Sequence, residues 1–291
     1  MAILFALRSG KLGLEAITTV AGNVGVDLTT ANALRVLEVA GAAKIPVAKG
    51  LAKPLLRDRI IASEVHGPDG LGNTNMPPPK IRAQPVHAVD LLISKVMESP
   101  GQITLVATGP LTNVAMAVAK EPKLTETVQE VVVMGGAVTV PGNVTSQAEF
   151  NVYADPEAAK IVFNSGLPIT LVGLDVTMKT LLTPSHLKEI ENAGTPLAEF
   201  IVRVARHYMG FYKRVRGVDG CAMHDPLAVG VTVDRSLVKT RKMALDVETH
   251  GELCLGRTVQ RPSTGRESRI DMCLEVDSKR FLEMFVRALS R

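Results

Sequence analysis

The chain has 291 residues, 46% of them apolar and 21% charged, with a formal charge of +4 at neutral pH, a composition that can bury a large core. Its longest apolar runs fall short of the roughly 20 residues a bilayer span needs, and its Lys and Arg residues are scattered among acids, so no membrane partner and no nucleic-acid partner is expected. Cys221, Cys254 and Cys273 are odd in number and far apart, without CxxC spacing or a secretory signal before them, which argues against a disulfide framework or thiolate zinc site and for a reducing cytoplasm.

The first segment, MAILFALRSG, puts Ile3, Leu4 and Leu7 on one face of a helix. Nothing ahead of them can cap its first N–H groups, which leads to the expectation that a segment belongs upstream of Met1. LEAITTV then reads as a strand closed by AGNV, residues 30–39 as an amphipathic helix, and IPVAKG as a second strand. ITLVA before TGPLTN, EVVVM before GGAV and PITLVGL before DVT repeat the strand-then-polar form. Residues 111–119 have helical spacing, and Asp155 with Pro156 offers an N-cap and N1 proline for a helix that Gly166 stops. Tyr208 and Tyr212, four residues apart, lie on one face of a further helix that carries Arg216 toward His224-Asp225-Pro226. Residues 243–276 read as strands or extended segments around THGE and PSTGRE, and Asp277 as the cap of a final helix through Leu289. Neither a linker nor a repeat divides the chain, so residues 1–291 form one domain. The alternation predicts an α/β fold with an open, mostly parallel sheet flanked by helices on both faces.

In such sheets ligands sit beyond the carboxyl ends of the strands. The polar clusters that close the strands hold Asn23, the stretch 108–113, Asn143, Glu149 and Asn151, and later His224 with Asp225. There is no GxGxxG after a strand, no GxxxxGK[ST], no HExxH and no GxSxG, which leaves dinucleotide, nucleotide-phosphate and serine-hydrolase chemistry without support. Asn, Glu, His and Asp suit hydroxyl groups or a hard cation. Each cluster also has a plain reading. Asn143, Glu149 and Asn151 fit a polar surface loop, Asp225 a helix cap beside a turn residue His224, and the tyrosine pair either a stacking platform or core. His66, in the Gly-rich stretch VHGPDGLGN, reads as a site residue more than a core histidine.

Taken in order, TTVAGNV, VHGPDGLGN, ATGPLTNVA, VVVMGGA, GN followed by AEFNVYADPEAA, and HDPLAV resemble the nucleoside hydrolases of the inosine-uridine-preferring family over almost the whole chain. The resemblance implies cleavage of the N-glycosidic bond of purine or pyrimidine ribonucleosides, a small-molecule nucleoside as partner, a bound calcium ion, and a homodimer or homotetramer. Carried over by motif, the Thr112 carbonyl and Asp225 are implied calcium ligands. Asn23, Asn143, Glu149 and Asn151 are implied to hold the ribose, Met134 to line its pocket, His66, Tyr208 and Tyr212 to border the base, and His224 to give the departing base its proton.

One departure accompanies the match. Family members begin with a strand ending in DxDPGxDDA that leads into the helix here reading MAILFALRSG. The resemblance therefore implies a fold lacking its first strand, and a site lacking its general base and main calcium carboxylates. A start codon assigned too late is the favoured expectation, since a lost strand leaves neighbouring backbone groups unpaired. For the chain as it stands the expectation is little hydrolysis and weak calcium binding. The alternative is a non-catalytic nucleoside- or ribose-binding protein on the same fold.

Overall fold

The computed structural model describes residues 1–262 and 270–290. α1 (Ala2–Arg8) opens without a side-chain cap and buries Leu4 and Phe5 completely. β1 (Ile17–Thr19), α2 (Val26–Val39) and β2 (Val47–Lys49) make a βαβ unit whose strands pair in parallel. A long connection carrying α3 (Ser63–His66) follows, then α4 (Ala88–Glu98) and β3 (Thr104–Ala107). Next come α5 (Thr112–Lys120), α6 (Leu124–Thr127), β4 (Glu130–Met134), α7 (Phe150–Ala154), α8 (Pro156–Phe163) and β5 (Ile169–Val172). One turn, α9 (Leu174–Thr177), leads to β6 (Leu181–Leu182), α10 (Pro184–Glu191), the long α11 (Pro196–Arg216), β7 (Cys221–Ala222) and α12 (His224–Val233). β8 (Val238–Met243), β9 (Leu245–Val247), β10 (Thr258–Gln260), β11 (Ile270–Val276) and α13 (Ser278–Leu289) complete the order.

The main sheet runs β3-β4-β5-β11-β8, parallel except for β8 against β11. The unbroken apolar runs of β4 and β5 follow from burial on both faces. Val131 and Val133 join Ile169 and Leu171 in a core covered by α5 and α8. Val132 and Met134 turn to the other face, where α1, α11, α12 and α13 close a second core. Phe5 locks α1 into it, 5.9 Å from the Phe281 ring and 5.3 Å from that of Phe285. The predicted strands and the helix caps at Asp155 and Asp277 are all present, each cap accepting a backbone N–H three residues on.

Two local expectations are corrected, and the sheet shows one division. α2 begins at Val26, ahead of residue 30, because extended Gly25 already offers its carbonyl to the Leu28 and Thr29 N–H groups and so opens the first turn within GNVGV. α12 begins at His224 with Met223 as its cap residue, so Asp225 sits inside the first turn and caps nothing. β1 and β2 form their own two-stranded sheet and share no ladder with the main one. The two sheets meet at their carboxyl ends, where Asn113 donates to the Thr19 carbonyl at 2.9 Å and accepts the Leu51 N–H at 3.1 Å. All four residues of β3 are consequently half-buried, while the β4 residues from Val131 on are buried. Residues 263–267 of PSTGRE lie outside the described residues.

Candidate active site

A cavity of about 610 Å³ opens beyond the carboxyl ends of β1, β3 and β4. Its walls carry Asn23, His66, Met134, Asn143, Glu149, Asn151, Tyr208, Tyr212, His224 and Asp225. These are all the sequence candidates except Thr112.

One wall is the stretch between β4 and α7. Glu149 caps α7 by accepting the Val152 N–H at 3.2 Å, and the same oxygen takes the Gly136 N–H at 3.0 Å. The second carboxylate oxygen is left without a protein donor among the described residues. Asn143 accepts the Phe150 N–H at 2.9 Å through Oδ1, which frees its amide hydrogens. Asn151 works the other way, donating to the Met134 carbonyl at 3.1 Å and leaving its oxygen as an acceptor. Free donors and acceptors thus alternate along one side of the cavity, an arrangement that matches vicinal hydroxyls, each of which both donates and accepts. The loop is held from below by Asp175 on α9, which accepts the Val138 and Thr139 N–H groups at 3.0 and 2.8 Å and the Thr139 hydroxyl at 2.6 Å.

The opposite wall is aromatic. His66 at the end of α3 stacks on Tyr208, with ring centroids 5.3 Å apart at 22°. Tyr208 meets Tyr212 edge-on at 5.0 Å. A chain of hydrogen bonds runs from the Tyr208 hydroxyl to the Tyr212 oxygen at 3.4 Å, and from there to His224 Nε2 at 3.0 Å. His224 Nδ1 lies 2.7 Å from the Thr177 hydroxyl. Arg216 sits 6.0 Å above the Tyr212 ring. Such a surface suits a flat, partly polar heterocycle.

Enclosure sets the charges. Burial pulls His224 down to about 3, helped by His66 and Arg216, and burial with the neighbouring His207 pulls His66 to about 4. Both rings are neutral at physiological pH. Burial pushes Glu149 up to about 7 against the backbone N–H groups it accepts, and Asp225 up to about 6. Asp225 is half-buried by area, yet it lies deep in the cavity, where its charged form loses most of its hydration.

The donors do not complete a calcium shell. Calcium takes six to eight oxygens, and among the described residues no three His, Cys, Asp or Glu side chains converge in a way that could hold a metal ion. Asp225 lines the cavity, but Thr112 does not. As the first residue of α5, Thr112 is buried and donates its hydroxyl to Asp155 at 2.6 Å. The turn after β3 presents Thr108 instead.

Thr177, His207 and Phe150 escaped the sequence reading, and Thr108 entered it only within the polar stretch 108–113. Thr108 and Thr177 both belong to polar clusters that close strands, which was the available signal. The contact of Thr177 with a histidine 47 positions away has no trace in spacing.

The model of the family described as inosine-uridine preferring nucleoside hydrolase matches residues 1–283. An inosine-uridine preferring nucleoside hydrolase of Leishmania major is 40% identical over 295 aligned residues, covering 100% of this chain and 93% of the relative. A pyrimidine-specific ribonucleoside hydrolase of Klebsiella pneumoniae is 37% identical and is covered to 94%. The solved purine-preferring ribonucleoside hydrolase from Gardnerella vaginalis superposes with a TM-score of 0.96 at 34% identity, covering 99% of this chain and 93% of that one.

Proposed function

The chain belongs to the inosine-uridine preferring nucleoside hydrolase family, and from that premise we propose that its cavity takes a purine or pyrimidine ribonucleoside, ribose against the Asn143–Asn151 wall and base against the tyrosines, for hydrolysis of the N-glycosidic bond. The reading is supported by one cavity that joins free amide and carboxylate groups on one side to stacked aromatic and imidazole rings on the other. Cleavage of this bond passes through an oxocarbenium-like sugar, so the protein must hold the hydroxyls, activate water and satisfy the leaving nitrogen. Asn23, Asn143, Glu149 and Asn151 bind and orient the sugar. His66, Tyr208 and Tyr212 receive the base, and neutral His224 offers its N–H to the departing nitrogen. Calcium, where bound, would supply charge next to the ribose hydroxyls and a polarised water.

Water activation is the weak link. Glu149, raised to about 7, is tied to the Gly136 and Val152 N–H groups, and Asp225 is raised to about 6; among the described residues no third acidic, His or Cys group joins them to hold a metal ion and its water. We therefore infer weak calcium binding and low turnover for these 291 residues. The same observation favours a second reading, a nucleoside- or ribose-binding protein without catalysis. A reducing cytoplasmic setting accords with the three free cysteines.

The sugar-binding half is tested by titrating inosine and 2′-deoxyinosine into the chain by calorimetry. A site built around ribose hydroxyls binds the deoxynucleoside at least about tenfold more weakly, the worth of one lost hydrogen bond to an enclosed polar group. Equal affinities would contradict the assignment of the Asn143–Asn151 wall to ribose.

A further inference from the structure

We propose that Thr177 is a positioning residue for His224, its hydroxyl holding the imidazole in the tautomer that carries the proton on Nε2, the nitrogen on the Tyr212 side of the ring. This rests on the reading of His224 as the group that meets the departing base. Thr177 is fully buried at the end of α9. Among the described residues its hydroxyl makes one hydrogen bond, the 2.7 Å contact with His224 Nδ1. A hydroxyl has one proton to place. Were that proton not given to Nδ1, it would be left without an acceptor in a closed interior, which buried hydroxyls avoid. The Thr177 O–H therefore donates to the Nδ1 lone pair, and the ring proton resides on Nε2.

The tautomer propagates. His224 Nε2–H donates to the Tyr212 oxygen at 3.0 Å, and the Tyr208 O–H donates to that same oxygen. Tyr212 thus accepts twice, and its own hydroxyl hydrogen remains available to a ligand. With the opposite tautomer, Nε2 would present a lone pair, Tyr212 would donate to it, and neither group would have a proton for a base nitrogen. Thr177 lies two residues beyond Asp175, which pins the ribose-side loop. The single helical turn α9 therefore orients groups on both walls of the cavity.

The experiment is nitrogen-15 spectroscopy of histidine-labelled, ligand-free protein, with the His224 ring assigned by the signals lost in a His224→Gln sample. Wild type should show a pyrrole-like Nε2 and a pyridine-like Nδ1. Thr177→Val keeps the side chain's shape and β-branching but removes the donor; it should lose the single tautomer and bind inosine about fivefold to tenfold more weakly. Thr177→Ser should restore both. A wild-type Nδ1–H ring overturns the proposal outright and needs no variant to fold. It is equally overturned if Thr177→Val keeps the wild-type signals, or if Thr177→Ser behaves like Thr177→Val. The tautomer is read without ligand, so a chain that shows it but binds no inosine contradicts the ribonucleoside reading and leaves the positioning role standing.

Discussion

Glu149 carries two duties that pull against each other. It caps α7 and holds Gly136, and it presents a free oxygen to the cavity, all at 2% exposure. Burial raises its pKa from an ordinary 4.5 to about 7, so the folded state favours the protonated form more than the unfolded chain does. Its contribution to stability is then complete below about pH 4.5 and is lost as pH rises through about 7, a loss of roughly 3 kcal/mol at most. Glu149→Gln is neutral throughout and can still accept both N–H groups. Its thermal midpoint should match that of wild type at pH 4.5 and exceed it by a few degrees at pH 8, while inosine affinity falls because an NH₂ group replaces an acceptor. A midpoint that drops at pH 8 would mean that Glu149 is ionised and compensated in the fold.

At the scale of elements, the ribose wall depends on how the loop before α7 is closed. Gly142 is the position where that closure is tightest. A β-carbon there would run into the Ala148 carbonyl oxygen and nitrogen, both backbone atoms that cannot swing aside. Gly142→Ala should push the loop out of its binding form at a cost of about 1–3 kcal/mol, and inosine affinity should weaken roughly tenfold or more as the competent population shrinks. The cores on either side of the sheet do not involve this loop tip, so the calorimetric unfolding midpoint should move by only a few degrees. Unchanged affinity would show that the loop form is not what binds. Much of this element structure was legible: β-branched runs ending in polar clusters located β1 to β5, and Asp155-Pro156 located α8, since each signal is local. The start of α12 at His224 was not legible, because Asp225 looks like a cap when only its neighbours are read. Nor was the place of Thr108 in the cavity lining, which depends on how far the turn after β3 runs before α5 begins.

At the scale of the molecule, the sequence pattern implied a mostly parallel sheet lacking its first strand, and the described residues form a β1–β2 pair beside a five-stranded sheet. Nothing in the composition of ITT or TLVA reveals which strands will share a ladder, since register and neighbour choice are properties of the assembled fold. The consequence is an uneven distribution of stability. β4 is paired on both edges and covered on both faces, whereas β3 is paired to β4 alone and half-buried throughout. Native-state hydrogen exchange should find amides of β4 and β5 protected to the level of global unfolding, and those of β1 and β3 that lack a ladder partner exchanging by local opening, about a hundredfold faster or more. Uniform protection across β1, β3 and β4 would contradict the divided sheet. The measurement that tests the functional account most directly is ribose release from inosine and uridine by the 291-residue chain, with added calcium and after chelation, alongside inosine binding on the same sample. The account predicts inosine binding with turnover that stays low in either condition, because the described residues offer Asp225 without a ring of partners that could hold a cation and its water. Brisk calcium-dependent turnover that stops on chelation would contradict it and place a complete cation site within this chain.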